Sequence, residues 1–151
     1  MKSITKPGDN LGGLLKIWAV PASVYSVSGN VVSFSSTTNI YEIYCSPESM
    51  KFDEQEERTT AGKHHNTTIS GVIPKDCSTA LDAINDMDMK PYVIIFRNGN
   101  GEFQAAGTAL QPLRIDAGRN SGRLVSDLAG NSFSFSGKTT SRAIFIDNPF
   151  E

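Results

Sequence analysis

Ser132, Ser134 and Ser136 alternate with Phe133 and Phe135 in a strict period of two. That spacing puts both rings on one face of a strand and the hydroxyls on the other. A face carrying two rings has to pack against another sheet or a helix, so the pattern predicts a domain built around antiparallel β structure. Asn131–Lys138 and the apolar run Ala143–Ile146 read as a closing strand pair. Upstream, Leu14–Val20 and Ala22–Val27 read as strands joined at Pro21, Ser28-Gly29-Asn30 as a turn, and Val31–Ser35 as β again. Over Asn39–Ser46, Ile40, Glu42 and Tyr44 oppose Tyr41, Ile43 and Cys45, which predicts a strand covered on both sides. Asn66–Ile73 returns to strand. Tyr92–Phe96 is an unbroken run of apolar β formers, the mark of a buried central strand.

One helix interrupts this pattern. Ala80, Leu81, Ile84 and Met87 recur at three- and four-residue intervals and form one apolar stripe, predicting a helix over roughly Ser78–Met87 that lies on the sheet. Asp76 or Ser78 is placed to cap its first amides, and Thr79 with Asp82 has capping-box spacing. After Pro91 and the central strand, Asn98-Gly99-Asn100-Gly101 predicts a hairpin turn, because Asn-Gly supplies positive φ. Phe103–Thr108 and Leu113–Ala117 follow as strands, with turns at Gly118–Gly122 and Asp127–Gly130. The expectation is eight to ten strands and one helix, mainly β at the margin of α+β. Residues 1–13 read as a flexible arm, with Pro7-Gly8 and Gly12-Gly13 as breakers, and residues 14–151 as one domain.

Composition changes sharply at about residues 48–64. Lys51, Asp53, Glu54, Glu56, Glu57, Arg58 and Lys63 crowd there, with Phe52 as the one large apolar side chain from Lys51 to Lys63. Between two β patterns this charged insertion is a solvated loop, a long hairpin arm that meets a partner, or a short helix. Long structureless loops in compact domains are uncommon and usually functional. The eight residues from Lys51 to Lys63 named above are therefore the candidate interaction site.

The rest of the chemistry narrows the function classes. A chain of 151 residues with a net charge of −2 can bury a core without staples and lacks the basic field that sequence-specific duplex binding needs. Leu11–Val20 is too short and too interrupted to span a bilayer, and the polar start is read as having no secretion signal. Cys45 and Cys77 are too few for a disulfide framework and read as reduced thiols. His64 and His65 are neighbours, so in a strand they point to opposite faces and make a poor chelate. Asp82, Asp86 and Asp88 lack the Gly and distal Glu of a calcium loop and read as a solvated helix end. Asn66-Thr-Thr68 matches a glycosylation sequon by chance on this reading. No nucleophile elbow or phosphate-binding loop occurs, so neither an enzyme nor a cofactor is expected.

The second half of the chain carries a resemblance. The charged segment with Phe52 is followed by Ile69-Ser-Gly-Val-Ile-Pro-Lys-Asp76, the helix, Val93-Ile-Ile-Phe96 and the Asn-Gly turn. Gly107-Thr108, Pro112-Leu113-Arg114 and Ser132-Phe-Ser-Phe-Ser-Gly-Lys138 come next. This order resembles small virion structural proteins of tailed phages and prophages of Bacteroidetes hosts, tail-tube-like or tail-to-head joining, over roughly Ile40–Ile146. The resemblance implies an antiparallel β-sandwich or barrel with one flanking helix and no active site. It implies a homo-oligomeric ring, stacked into a tube or closed singly as a tail terminator or connector, working with other tail proteins in the virion after synthesis in the host cytoplasm. A monomeric β-sandwich that binds a carbohydrate or protein ligand through Trp18, Tyr25 or Tyr41 is the rival reading.

Overall fold

Over the described residues the chain is mainly β and antiparallel, with one helix. The computed structural model describes residues 11–150 apart from 47, 76 and 125–128. Among these lie eleven strands. The first sheet contains β1 (Leu14–Pro21), β4 (Tyr41–Ile43), β7 (Tyr92–Asn98), β8 (Phe103–Ala106) and β11 (Ile144–Ile146), in the order β11-β8-β7-β1-β4. The second contains β5 (Lys51–Thr59), β6 (Gly62–Pro74), β9 (Arg114–Asn120) and β10 (Gly130–Thr139), in the order β5-β6-β10-β9. β2 (Tyr25–Ser28) and β3 (Val31–Phe34) form a separate hairpin.

Two apolar layers hold these sheets. Phe133 and Phe135 of β10, Ile69 of β6 and Ile115 of β9 pack with Ile17, Ile94 and Phe96 of the five-stranded sheet. On the other face of that sheet, Trp18, Val20, Val93 and Ile95 pack with Tyr25 and Val32 of the β2–β3 hairpin. β7 is therefore covered on both faces, which explains its unbroken apolar run from Tyr92 to Phe96. Each side chain fully withdrawn from water here contributes about 1.5–3 kcal/mol. The two large sheets share a core without closing into a barrel.

The helix, α1 (Ser78–Met87), spans the residues its periodicity predicts, with Ile84 and Met87 buried. Cys77 is the N-cap, no side-chain capping hydrogen bond is made among the described residues, and Asp76, one of the two expected caps, lies outside them. Leu81 and Ile84 line a cleft with Ile115, Ala117 and Asn131, so the helix lies over the inner face of β9 and β10.

Several boundaries move for tertiary reasons. Ala22–Val24 is a turn, and β2 starts only at Tyr25. The strand expected over Asn39–Ser46 shrinks to β4, because the chain then crosses between sheets: the Ser46 N–H donates to the Val72 carbonyl of β6 at 2.8 Å. Gly118, expected in a turn, is inside β9 and pairs with Ser132. Asp127 and Leu128 of the next expected turn lie outside the described residues. The expected closing pair is not a pair. β10 is flanked by β6 and β9, whereas β11 pairs with β8 in the other sheet.

The Asn98–Glu102 turn joins β7 to β8, but Gly101, at φ 88°, supplies the positive φ rather than Gly99. Gly99 serves a close approach instead, since a Cβ there would sit 2.7 Å from the Leu11 and Gly12 carbonyl oxygens. Its N–H donates to the Gly13 carbonyl at 3.0 Å, and the Leu11 N–H donates to Asn100 Oδ1 at 2.9 Å. Residues 11–13, read as part of a flexible arm, are thus tied to this turn. Residues 1–10 lie outside the described residues.

Candidate functional site

The charged segment at 48–64 is neither a loop nor a helix. Lys51–Thr59 is β5, and it pairs along its whole length with the first part of β6, from Thr59↔Gly62 to Lys51↔Ser70. Among the described residues β5 has no neighbour on its other side, so it is an edge strand of the four-stranded sheet. The period of two sorts its side chains. Phe52, Glu54 and Glu56 share the inner face with Ile69, Thr67 and His65, while Lys51, Asp53, Gln55 and Glu57 share the outer face with Ser70, Thr68, Asn66 and His64.

The inner residues tie the hairpin to the rest of the fold. Phe52 packs on Phe96 with ring centroids 4.7 Å apart. Glu54 Oε2 accepts the Ala143 N–H at 3.0 Å, and Glu56 Oε2 accepts from Arg142 Nη2 at 2.8 Å. Glu56 Oε1 also meets Lys63 Nζ at 3.0 Å and Arg58 Nε at 3.4 Å. These carboxylates anchor the connector that carries the chain from β10 to β11. His65 and Glu54 lie beneath this anchor. His65 Nδ1 is 3.8 Å from Glu54 Oε1, and both atoms are buried without a hydrogen-bond partner among the described residues. A buried polar atom left unpaired costs about 1–3 kcal/mol.

On the outer face, Glu57 Oε2 meets His64 Nε2 at 3.2 Å and Asn66 Nδ2 at 2.9 Å. His64 and His65 do point to opposite faces, as adjacent strand residues must. Arg142 and Ala143 belong to the same cluster but have no signal in the chain, since they lie some ninety residues from their acceptors.

The electrostatics argue against acid–base work here. The Lys63 ammonium, with Arg58 and Arg142, holds the Glu56 carboxyl below the usual range. The Asn66 amide and His64 do the same to Glu57. A general acid at neutral pH needs the opposite shift. Burial pushes the Cys45 thiol up to about 11, which makes it a poor nucleophile, and both cysteines are free. Asp86 bonds to the Tyr41 hydroxyl and to Lys90 Nζ, the solvated helix end expected of it. Among the described residues no group of three His, Cys, Asp or Glu side chains is placed to hold a metal, and no helix is long and apolar enough to cross a membrane.

A pH dependence follows. Lowered carboxyl pKa values stabilise the fold above the unfolded value, 4.5 for Glu, and that contribution is lost as pH falls through the folded values. Hydrogen exchange of residues 51–59 and 140–143 is expected to accelerate as pH is lowered below 4.5, relative to amides of β7 and after correction for intrinsic rates. Uniform behaviour of both groups would show that the carboxylates do not hold the connector.

The aromatic residues expected to line a ligand groove are elsewhere. Trp18 and Tyr25 are buried between the five-stranded sheet and the β2–β3 hairpin, Trp18 lying 4.7 Å from the Phe150 ring and 5.8 Å from Phe103. Tyr41 is half-buried and committed to Asp86. A cleft of about 500 Å³ on the four-stranded sheet is lined by Ser70, Ser132, Ser134 and Asp116 together with Val72 and Phe133. No protein family, no curated protein and no solved structure matches this chain.

Proposed function

We propose that this chain is a non-enzymatic structural subunit that self-assembles, a tail-tube-like protein of a phage or prophage virion whose rings stack. One observation carries the proposal. The five-stranded sheet ends on strands of only three residues, β4 and β11, whereas the four-stranded sheet ends on β5 with nine and β9 with seven. Long open edges offer rows of unpaired N–H and C=O groups and are normally blunted in proteins that stay monomeric. β5 carries six charged residues, which guard an edge against unmatched partners, so two long edges on one sheet support joining by strand addition where the charges match. The resemblance of Ile40–Ile146 to virion structural proteins supplies the setting. Other tail proteins are the further partners, and no cofactor is required.

A terminator or connector would use the same lateral contacts in a single ring without stacking. The burial of Trp18 and Tyr25 weighs against the monomeric ligand-binding alternative. Light-scattering mass across a concentration series, with negative-stain electron microscopy of the same samples, tests the proposal. Rings or stacked tubes are expected. A monomer at every concentration would overturn it and favour the binding module, and single unstacked rings would favour the terminator.

A further inference from the structure

Every neighbouring pair in the β5-β6-β10-β9 sheet is antiparallel, so its two edge strands run in opposite directions. A second copy placed alongside in the same orientation therefore brings its β5 antiparallel to this copy's β9, and the sheet continues across the boundary. The register across the four strands shows which residues would meet. One outer row reads Lys51, Ser70, Ser134, Asp116, and the next reads Asp53, Thr68, Ser136, Arg114. The two ends of each row carry opposite charges, and the signs reverse from one row to the next.

With the rows aligned, Asp116 faces Lys51 of the next copy and Arg114 faces Asp53 of the next copy. The inner face agrees. The row between these two reads Phe52, Ile69, Phe135, Ile115, so Ile115 would meet Phe52 of the next copy, apolar against apolar. Lys51, Arg114 and Asp116 are exposed, and neither Lys51 nor Asp116 has a side-chain partner among the described residues. Shifting the register by one residue would put the charged residues opposite the apolar ones. Pairing β5 with its own copy is disfavoured, because four carboxylates and two cations, Lys51 and Arg58, would face the same set.

We infer that β9 of one copy and β5 of the next join head to tail in this register, with Asp116–Lys51 and Arg114–Asp53 as the pairs that select it. The inference rests on the self-assembly reading above and names its partner, a second copy of this chain, and its contact. A heterologous contact of this kind forms a ring where the rotation closes. Charges at such a boundary chiefly fix register and partner.

Charge reversal tests it. Lys51→Glu and Asp116→Lys each turn one attraction into a repulsion, and each alone is expected to raise the concentration for half-assembly about tenfold. The double variant should restore the wild-type midpoint. Mixing the two single variants in equal amounts should restore assembly with the two kinds of copy alternating, since both boundaries between unlike copies then carry opposite charges. Sedimentation velocity reads the wild type, the two single variants, the double variant and the mixture, and thermal melts confirm that the monomers are folded. Single variants that assemble like wild type, or a folded double variant no better than either single, would overturn the contact while leaving self-assembly standing. A wild-type monomer at every concentration would overturn both.

Discussion

Replacing Phe135 by alanine is expected to cost about 3–5 kcal/mol, a large part of the roughly 5–15 kcal/mol that separates a folded domain from its unfolded chain. The ring is fully buried, with Ile69 and Ile115 directly opposite on the flanking strands. Tyr92 of the facing sheet meets it edge-on at 6.2 Å, and Phe133 does so at 5.8 Å from two residues along the same strand. Truncation would remove the contacts of both sheets and leave a hole walled by β structure, which relaxes little because neighbouring strands fix its dimensions. Urea unfolding of wild type and Phe135→Ala, monitored by far-UV circular dichroism, measures the loss. A change below about 1 kcal/mol, within the range of surface substitutions and mild repacking, would mean that the sheets are not packed across this ring.

The second large effect is expected at a residue with no side chain. A Cβ on Gly137 would lie 2.7 Å from Leu113 Cδ2 and 3.0 Å from the Pro112 carbonyl oxygen. Leu113 cannot easily retreat. It is fully buried, and its N–H and carbonyl both bond to Tyr92 at 2.8 Å, where the two sheets meet at a corner. Gly137→Ala therefore has to displace either a core side chain or that bridge, and overpacking of this kind costs about 1–3 kcal/mol. Gly12→Ala serves as the control, since no atom of the described residues lies within 4 Å of the added methyl. Thermal unfolding should place Gly137→Ala well below both wild type and the control. Equal melting temperatures for all three would show that the corner is loose.

These two residues mark how much was legible. Phe135 announces itself, because a ring alternating with serine can only be an inward-facing strand residue. Gly137 does not, because its neighbour Leu113 is brought to it by a fold that the local sequence does not encode. The same division runs through the candidate site. The charge density from Lys51 to Lys63 is plain in the chain, but its meaning was not. Charged residues are depleted from strands, yet an edge strand with one solvated face accepts them. The split between inward Glu54 and Glu56 and outward Asp53 and Glu57 became readable only with the pairing to β6. Glu54 and Glu56 then prove to hold Ala143 and Arg142, which no spacing in the chain connects to them.

The sequence by itself determined the class of structure: a mainly β chain, one helix over Ser78–Met87, a strand from Tyr92 covered on both faces, and which side chains of β10 turn inward. Each of these follows from periodicity, a property of consecutive residues set by backbone geometry. The tertiary structure alone decided which strands are neighbours, that β10 and β11 lie in different sheets, and that β5 and β9 are the open edges. It also brought Lys51 and Asp53 into the rows of Asp116 and Arg114, more than sixty residues away. Strand partners are chosen by loop closure and by the packing of whole faces, and those energies exist only once distant parts of the chain have met.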